Sequence, residues 1–565
     1  MTKRKRRPKP TPARTYAEAL RDEIVAIANT RPDLFPHAAS APARAGIPTV
    51  RLSLSTAHMP SLAGGMAADE VEHVVVLILD DPDVPPVVIV EHGRFLGVPH
   101  VLTNGELCIY LDASREWDPA HGAAGFLNRL HDWFMDAIAN RFDASTALHH
   151  AVGGRAHTSA DTPLVVCPFE LPDKELGFVR LATVTHARID LGRDHDEEST
   201  DDRSERVLVV RAPGPLFAGP GATVKEVFGN LGTELAGKAL HAWAQRIARL
   251  RRDGHEFAHI VLTVPNPGVT PYVLVARLRI AALDQTASAH DVARLPLEWC
   301  RLDDQRPSIS TRRDANRPVR AYQGRDIALI GCGGLGSWIA EFLARAGAGS
   351  IALLDPASVK GGLLVRQNFT DDDVGVDKDE ALARRVRAIA PECKVTTGAD
   401  AVARLTEVLA SDTCLVIDAT ISLAFGRRLD AISADVNRKA LAARVATDIR
   451  SGSLGMVVVS DTAAQSLDAL DIAAKTAVTC DGTLEPYHTF WEAAEDDEMI
   501  PAKGCSIPTF HGSAADMAAV SAEIVNLIAG HLGTRVSGVH LFALPHSGAN
   551  PAHAFLPPDR LGLTS

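Results

Sequence analysis

Hydrophobic residues change their period several times along this chain, and each change marks an element. From Tyr16 to about Ala28 the apolar positions Leu20, Ile24 and Ile27 fall at i, i+4 and i+7, which predicts an amphipathic helix. Val71 to Leu79 and Val87 to Val90 are β-rich runs separated by Asp81-Pro82-Asp83 and Pro85-Pro86, so they read as short strands with turns between them. A second helical stretch, Gly125 to Asn140, closes an α+β unit over 16–150. Between 151 and 320 the pattern is less regular. Val207 to Arg211 and His259 to Val264 read as strands, Thr223 to Arg252 is largely helical in composition, and the acidic run Arg193 to Arg206 reads as an exposed loop.

From 325 the pattern becomes strand, glycine loop, helix, strand, helix, strand, which predicts a doubly wound parallel sheet over 321–565. Asp326 to Ile330 is its first strand, Ser337 to Arg345 the helix, Ser350 to Leu354 the second strand and Thr413 to Ile417 a later one. Leu382, Val386 and Ile389 share one face of a helix from Glu380 to Ala390, which packs onto the sheet.

The 565 residues, 46% of them hydrophobic, can bury several cores. At roughly 150 residues per domain they suggest three or four. A net charge of −12, from 58 basic and 70 acidic residues, argues against a general nucleic-acid binder. The exception is the basic, proline-containing tail over 1–15, read as a solvated, disordered segment. Eight cysteines, at 108, 167, 300, 332, 393, 414, 480 and 505, form no CxxC pair, as expected of a reducing compartment without a disulfide framework. The charged N-terminus is not followed by an apolar stretch, so a cytoplasmic protein without a membrane span is expected.

Gly331, Gly333, Gly334 and Gly336 follow a strand and open a helix, where backbone amides can approach phosphate oxygens. Asp355, at the end of the second strand, is placed to accept hydrogen bonds from a ribose. On these residues alone a dehydrogenase using NAD remains open. The run Leu353-Leu354-Asp355-Pro356-Ala357-Ser358-Val359, then Val365-Arg366-Gln367, then Gly375-Val376-Asp377-Lys378 resembles the ThiF/MoeB adenylating enzymes in order and spacing. That resemblance implies ATP-dependent activation of a protein's C-terminal carboxylate as an acyl-adenylate. Arg366 and Lys378 would neutralise the triphosphate, Gln367 would line the nucleotide site, and Mg²⁺ would sit near Asp418. Asp418 at a strand end can equally cap a turn. Ala357, Leu363 and Ile421 depart from the family pattern, with Asn368 a possible substitute ligand; Arg312 and Arg313 are the candidates for an arginine that a partner subunit often supplies. Two CxxC pairs hold zinc in many relatives, so no structural zinc is expected here.

Val98-Pro99-His100-Val101, Cys108 and Trp117-Asp118-Pro119 resemble the thiol site of ubiquitin-conjugating enzymes, with His100 in the family's Asn position eight residues before Cys108. An imidazole there can support an oxyanion or simply stabilise its loop. In the C-terminal region, Cys505, in Gly504-Cys505-Ser506-Ile507-Pro508-Thr509-Phe510, resembles the activating thiol of bacterial fusion enzymes and is preferred over Cys480. Lys503 would help lower its pKa. Cys332 and Cys414 read as structural.

The order of domains, a conjugating-like unit, a linking domain of unknown role and an adenylation domain, resembles the fused enzymes of bacterial antiphage operons that contain cGAS-like nucleotidyltransferases. The resemblance implies a relay in which a partner's carboxylate is adenylated, passed to Cys505 and then to Cys108, and conjugated to a target amine. The partner would be the cGAS-like enzyme itself or, alternatively, a ubiquitin-like modifier; a homodimer is expected. A sulfur-carrier adenylyltransferase would leave Cys108 without a role, and a non-catalytic scaffold would use both folds only for binding.

Overall fold

The computed structural model describes residues 14–563 except 103, 144–149, 153–157, 160, 195–204, 267–268, 282–291, 311–313, 399–404, 406, 412–413, 421, 493–498, 503–504 and 509–511, and the side chains of 150, 499–502 and 505–508. It divides into two compact units, Met1–Thr311 and Arg312–Ser565. The division falls before the boundary at 321 expected from the sequence.

In the first unit, helix α1 (Tyr16–Asn29) starts at a capping box, in which the Thr15 hydroxyl accepts from Glu18 N and the Glu18 carboxylate accepts from Thr15 N. Five antiparallel strands follow in sequential order: β1 (His37–Arg44), β2 (Ile47–Ser55), β3 (Val71–Leu77), β4 (Val87–Val90) and β5 (Glu106–Leu107). Short helix α2 (Ala113–Glu116) leads to α3 (Gly122–Ile138). Helix α3 begins three residues before the predicted start, because Pro119–His121 forms a 3-10 turn that delivers the chain into it. Phe126, Leu130, Trp133 and Phe134 of α3 share a core with Leu20 and Ile24 of α1 and with Val50, Leu52, Val74 and Val88 of the sheet.

The rest of this unit is an eight-stranded mixed sheet. Its strands are β6 (Leu164–Cys167), β7 (Leu176–Thr185), β8 (Arg188–Arg193), β9 (Glu205–Arg211), β10 (Phe257–Asn266), β11 (Val269–Arg279), β12 (Glu298–Trp299) and β13 (Arg301–Asp304), in the order β12-β11-β10-β9-β7-β8-β6-β13. The stretch from Thr223 to Arg252, largely helical in composition, forms two helices, α4 (Val224–Gly229) and α5 (Thr233–Arg252). Gly232, at φ +76°, separates them, and residues with side chains rarely adopt that conformation. The predicted acidic loop is narrower than 193–206. Arg193 ends β8, and Glu205 is a buried strand residue whose carboxylate accepts from His259 N at 2.9 Å and pairs with its Nδ1 at 2.7 Å.

The second unit is built on β14 (Asp326–Ile330), α6 (Gly334–Arg345), β15 (Ser350–Leu354), α7 (Lys378–Ile389), β16 (Lys394–Thr396), β17 (Leu415–Asp418), α8 (Leu423–Asp435), β18 (Leu441–Thr447), β19 (Leu454–Ser460), α9 (Leu467–Cys480), the two-stranded ladder of β20 (Met499–Ala502) and β21 (Cys505–Pro508), α10 (Ala514–Thr534), β22 (Gly538–Ala543) and β23 (His553–Leu556). The sheet order is β16-β15-β14-β17-β18-β19-β22-β23. The first five strands in that order are parallel, as predicted, and the last three run antiparallel. Residues 448–453 are too short a link for a helical crossover, so β19 turns back beside β18.

Helix α10 is long and apolar enough to cross a bilayer, with a mean hydropathy of 1.2. Here it lies in the core of the unit. Met517, Val520, Ile524 and Ile528 are buried with Ile339 and Leu343 of α6, Tyr322 donates to the Val525 carbonyl at 2.6 Å, and Ser521 donates to the Leu335 carbonyl at 3.2 Å.

Candidate functional site

Strand order reverses around β14, which lies between β15 and β17, and this opens a crevice at their C-terminal ends. The glycine loop crosses it. Gly331 has φ +88°, and a Cβ there would stand 2.8 Å from the Ala419 carbonyl; a Cβ on Gly336 would overlap the Gly331 carbonyl. Both positions therefore need glycine, and the start of α6 lies close against the strand ends. Gly333 caps α6 without a side-chain hydrogen bond, and Met517 of α10 backs Gly334.

Asp355 fixes this loop. Its Oδ2 accepts from Cys332 N at 2.8 Å and its Oδ1 from Ala357 N at 2.9 Å. Gln367 is buried with its amide beside Gly333, and its Oε1 has no hydrogen-bond partner. A buried, unpaired acceptor at the mouth of a glycine loop suits a ligand donor such as a hydroxyl.

Lys378 opens α7 with only 8% of its surface exposed. Among the described residues its ammonium has no carboxylate within ion-pair distance. It lowers the pKa of the Cys332 thiol, which burial and then Asp355 and Asp379 push well above the ordinary value, so it acts on the glycine loop. An ammonium beside phosphate-directed amides gains a close counter-charge once an anion enters. Arg366, half-buried, is placed by its carbonyl, which accepts from Trp338 Nε1 at 3.2 Å.

Asp418 ends β17 and is buried. Its Oδ1 accepts from the Thr420 amide (3.0 Å) and hydroxyl (2.7 Å), and its Oδ2 accepts from Arg444 Nε at 3.2 Å. The turn-capping alternative is thus realised, and Oδ2 keeps a lone pair for a cation. Asn368 does not face the loop. It donates to Glu341 Oε2 at 2.7 Å, inside a network with Arg345 and Arg385 that holds the Glu341 carboxyl down to about 2. Sequence reasoning missed Arg444, which lies level with Asp418 across the β17–β18 ladder and also binds Asp468 at 2.6 Å. The donor set suits a nucleotide triphosphate. Among the described residues no group of three or more His, Cys, Asp and Glu side chains is arranged to hold a metal ion.

The second site lies in the first unit. Cys108 follows β5, half-buried, with its Sγ donating to the Tyr110 carbonyl at 3.2 Å. Its amide donates to the His100 carbonyl at 2.9 Å. His100 has φ +67°, and its ring meets Phe142 edge-on at 5.0 Å. The two motif residues therefore meet through backbone. Burial first, then Glu106 and Glu116, raise the Cys108 pKa, and Arg129 opposes them. Trp117 is buried, donates to the Pro82 carbonyl at 2.8 Å and packs edge-on against Tyr110 at 5.9 Å. A cavity of about 280 Å³ opens here, lined by Tyr110, Glu116, Trp117, Asp118, His121, Gly125 and Arg129.

Of the remaining predicted groups, Cys505 opens β21, opposite Ala502 of β20, and its side chain lies outside the described residues. So do Lys503, Arg312, Arg313, Ile421 and tail residues 1–13. Cys480 is exposed at the end of α9, whereas Cys332 and Cys414 are buried.

Residues 320–545 match the ThiF family model, and residues 49–162 match the model of prokaryotic E2 family A. The chain joins an E2-like domain to a ThiF/MoeB-like adenylation domain. The tRNA threonylcarbamoyladenosine dehydratase of Escherichia coli (strain K12) is 40% identical over 93 residues, 16% of this chain and 35% of that protein. Ubiquitin-like modifier-activating enzyme 5 of Drosophila persimilis is 32% identical over 90 residues, 16% of this chain and 23% of that protein. The chain thus spans about a third or less of these curated relatives. Among solved structures, PaaA is 18% identical with a TM-score of 0.30, over 42% of this chain and 75% of that one. Escherichia coli MccB with ATP is 15% identical with a TM-score of 0.28, over 42% of this chain and 66% of that one. The glycine loop, Asp355, Lys378 and Asp418 all lie in the adenylation domain, and Cys108 lies in the E2-like domain.

Proposed function

We propose that the adenylation domain activates a protein's C-terminal carboxylate with ATP and that the acyl group then travels by thioesters to Cys108 and onto a target amine. Lys378, a buried ammonium without a carboxylate partner at the glycine loop, carries the first half of this reading. A carboxylate oxygen attacks the α-phosphorus, the bond to the β-phosphate breaks, and pyrophosphate leaves. The loop amides, Lys378 and Arg366 bear the growing charge on that leaving group. Asp355 holds the loop in register, and Gln367 Oε1 receives a nucleotide hydroxyl. Mg²⁺, held through Asp418 Oδ2, would add charge neutralisation between phosphates.

A cysteine thiol, assigned here to Cys505, then attacks the acyl carbon and AMP leaves with the bonding pair. Transfer to Cys108 forms a new C–S bond and breaks the first, and the target amine finally displaces the Cys108 sulfur. A sulfur-carrier activator would have no use for an E2-like domain. A ubiquitin-like modifier is the favoured activated partner, because modifier-activating enzymes are among the relatives of the adenylation domain. Conjugation of a cGAS-like enzyme in antiphage defence uses the same chemistry and is the second candidate.

ATP–pyrophosphate exchange with candidate partners, followed by non-reducing gels and mass spectrometry, tests this proposal. Exchange dependent on ATP and lost in Lys378→Ala, with a thiol-sensitive adduct on Cys108, is the expected result. Exchange that persists in Lys378→Ala, or conjugation that persists in Cys108→Ala, would sink it.

A further inference from the structure

A cavity of about 320 Å³ lies at the end of the adenylation sheet opposite the nucleotide crevice. The crevice opens where β14 and β17 end, whereas this cavity surrounds the start of β18 and the end of β19, which face each other in the antiparallel ladder at Ala442 and Ser460. It is lined by Arg438 and Lys439, in the link from α8 to β18, and by Arg535, at the end of α10. Asp461 is the acid among the described lining residues, and Arg535 Nε already pairs with it. Arg535 Nη2 also donates to the Lys439 carbonyl at 2.6 Å, which ties two walls of the cavity together. Lys439 is exposed, and among the described residues its ammonium has no carboxylate within ion-pair distance. Arg438 is only 4% exposed. Its guanidinium donates to the carbonyls of Ala440, Ser460 (3.0 Å) and Thr462 (2.8 Å) and to the Ser460 hydroxyl, so among the described residues its partners are all neutral oxygens. Asp430, the next acid, is held at the start of α9, where it accepts from Leu467 N at 3.2 Å and Asp468 N at 3.0 Å. Burial lowers the Arg438 pKa to about 10, with Asp430 and Asp461 opposing the shift and Arg535 adding to it.

We propose that this cavity is a second anion site, which takes a phosphate dianion, free or at the end of a small phosphomonoester, between Arg438, Lys439 and Arg535. The charges select the ligand. Three cations against one acid that is already paired match a dianion, and a phosphomonoester at neutral pH carries close to two negative charges. A carboxylate would answer only one of them. Guanidinium groups and an ammonium are well suited to phosphate oxygens, and Thr462 brings a hydroxyl donor to the same cavity. The cavity is roomier than a phosphate group, which leaves space for the organic part of an ester. A purely structural role, in which Arg438 ties the ends of β18 and β19, accounts for its own hydrogen bonds but not for two further cations at the same cavity. Nothing in the thioester relay requires this site, so it stands apart from the roles of Cys505 and Cys108.

The test uses the full chain without ATP, at fixed ionic strength, and follows inorganic phosphate and glycerol phosphate by phosphorus NMR line broadening. Lys439→Gln should weaken binding about threefold to tenfold, the effect of one close charge on a dianion near a surface, and Lys439→Arg should restore it. Arg535→Gln should weaken it at least as much. Lys378→Ala, which changes the nucleotide crevice, should leave binding within about twofold of wild type, because salt screens charges at opposite ends of a sheet. Tighter binding of glycerol phosphate assigns the site to esters, and tighter binding of inorganic phosphate assigns it to the free ion. Binding that Lys439→Gln and Arg535→Gln leave unchanged, or that Lys378→Ala abolishes, overturns the inference, since the anion would then sit elsewhere. Should one of the two cavity variants fail to fold by circular dichroism, the other carries the test; unfolding of both would show a structural role and overturn the inference.

Discussion

At the adenylation site Lys378 is buried with no carboxylate within ion-pair distance among the described residues, and Asp355 and Asp379 act on the same glycine loop, whereas at Cys108 burial and two glutamates outweigh one arginine. The first arrangement gives an ammonium a close counter-charge when an anion arrives. The second opposes ionisation, since burial first and then Glu106 and Glu116 raise the thiol pKa and Arg129 lowers it less. A site for a highly charged ligand can store uncompensated charge, because ligand binding supplies the counter-charge. A site for a covalent carrier must limit side reactions between turnovers, and a raised thiol pKa does that.

The contrast is broken most sharply by Cys108→Ala, which should abolish transfer to an amine while a thioester on Cys505 still forms, as read on non-reducing gels. Lys378→Ala should lower pyrophosphate exchange by about 100-fold to 1,000-fold, the usual effect of removing a charge-stabilising group, and should block both thioesters. Gly336→Ala should destabilise the adenylation unit by about 1–3 kcal/mol through overpacking against the Gly331 carbonyl; a smaller shift in urea midpoint would show that the loop can yield.

Acid sharpens the comparison between the two units. His531 Nδ1 faces the Val536 carbonyl, which can only accept, so this nitrogen carries the proton. With His531 neutral, the form its burial favours, His540 donates through Nε2 to His531 (2.7 Å) and His553 donates to His540 Nδ1 (2.9 Å). Burial, then the neighbouring His531 and His553, hold His540 at about 3, and burial also lowers His531. An unfolded histidine titrates near 6.5, so the unfolded chain takes up protons first. The contribution of His540 is complete above about pH 6.5 and falls as pH drops toward 3, by about 1.4 kcal/mol per pH unit. Hydrogen exchange of β22 and β23 between pH 7 and pH 5 checks it; His540→Phe should flatten the dependence. The smallest effect expected is that of Trp117→Phe, which removes the bond to the Pro82 carbonyl and should cost about 1 kcal/mol in the E2-like domain.

Much of both sites was legible because the signals are local. The strand Asp326–Ile330, the glycine loop and Asp355 lie within about thirty residues, and the register of a β-α-β unit fixes their relation. Lys378 was singled out by the order and spacing that resemble ThiF/MoeB enzymes, whereas the helix start at Lys378, two residues before the expected Glu380, is set by the fold. Boundaries were less legible. Gly232 splits a helix that composition alone would continue, and the antiparallel β19, β22 and β23 depend on the length of a connection rather than on periodicity. Arg444 and Arg129 carried no signal at all. Arg444 meets Asp418 only through the β17–β18 register, and Arg129 reaches the thiol loop only because the fold brings α3 to Tyr110 and Glu116.

Sequence by itself determined where backbone must bend without a Cβ, which segments alternate as strands and helices, and which thiols sit in recognisable surroundings. Those are consequences of sterics and periodicity, which act over a few residues. Tertiary structure decided which charges meet: that Asp418 is bound by Thr420 and Arg444, that Asn368 turns away to Glu341, and that Cys108 is set between two glutamates and an arginine. Electrostatic interaction depends on distance and burial, and both are fixed only when segments remote in sequence pack together.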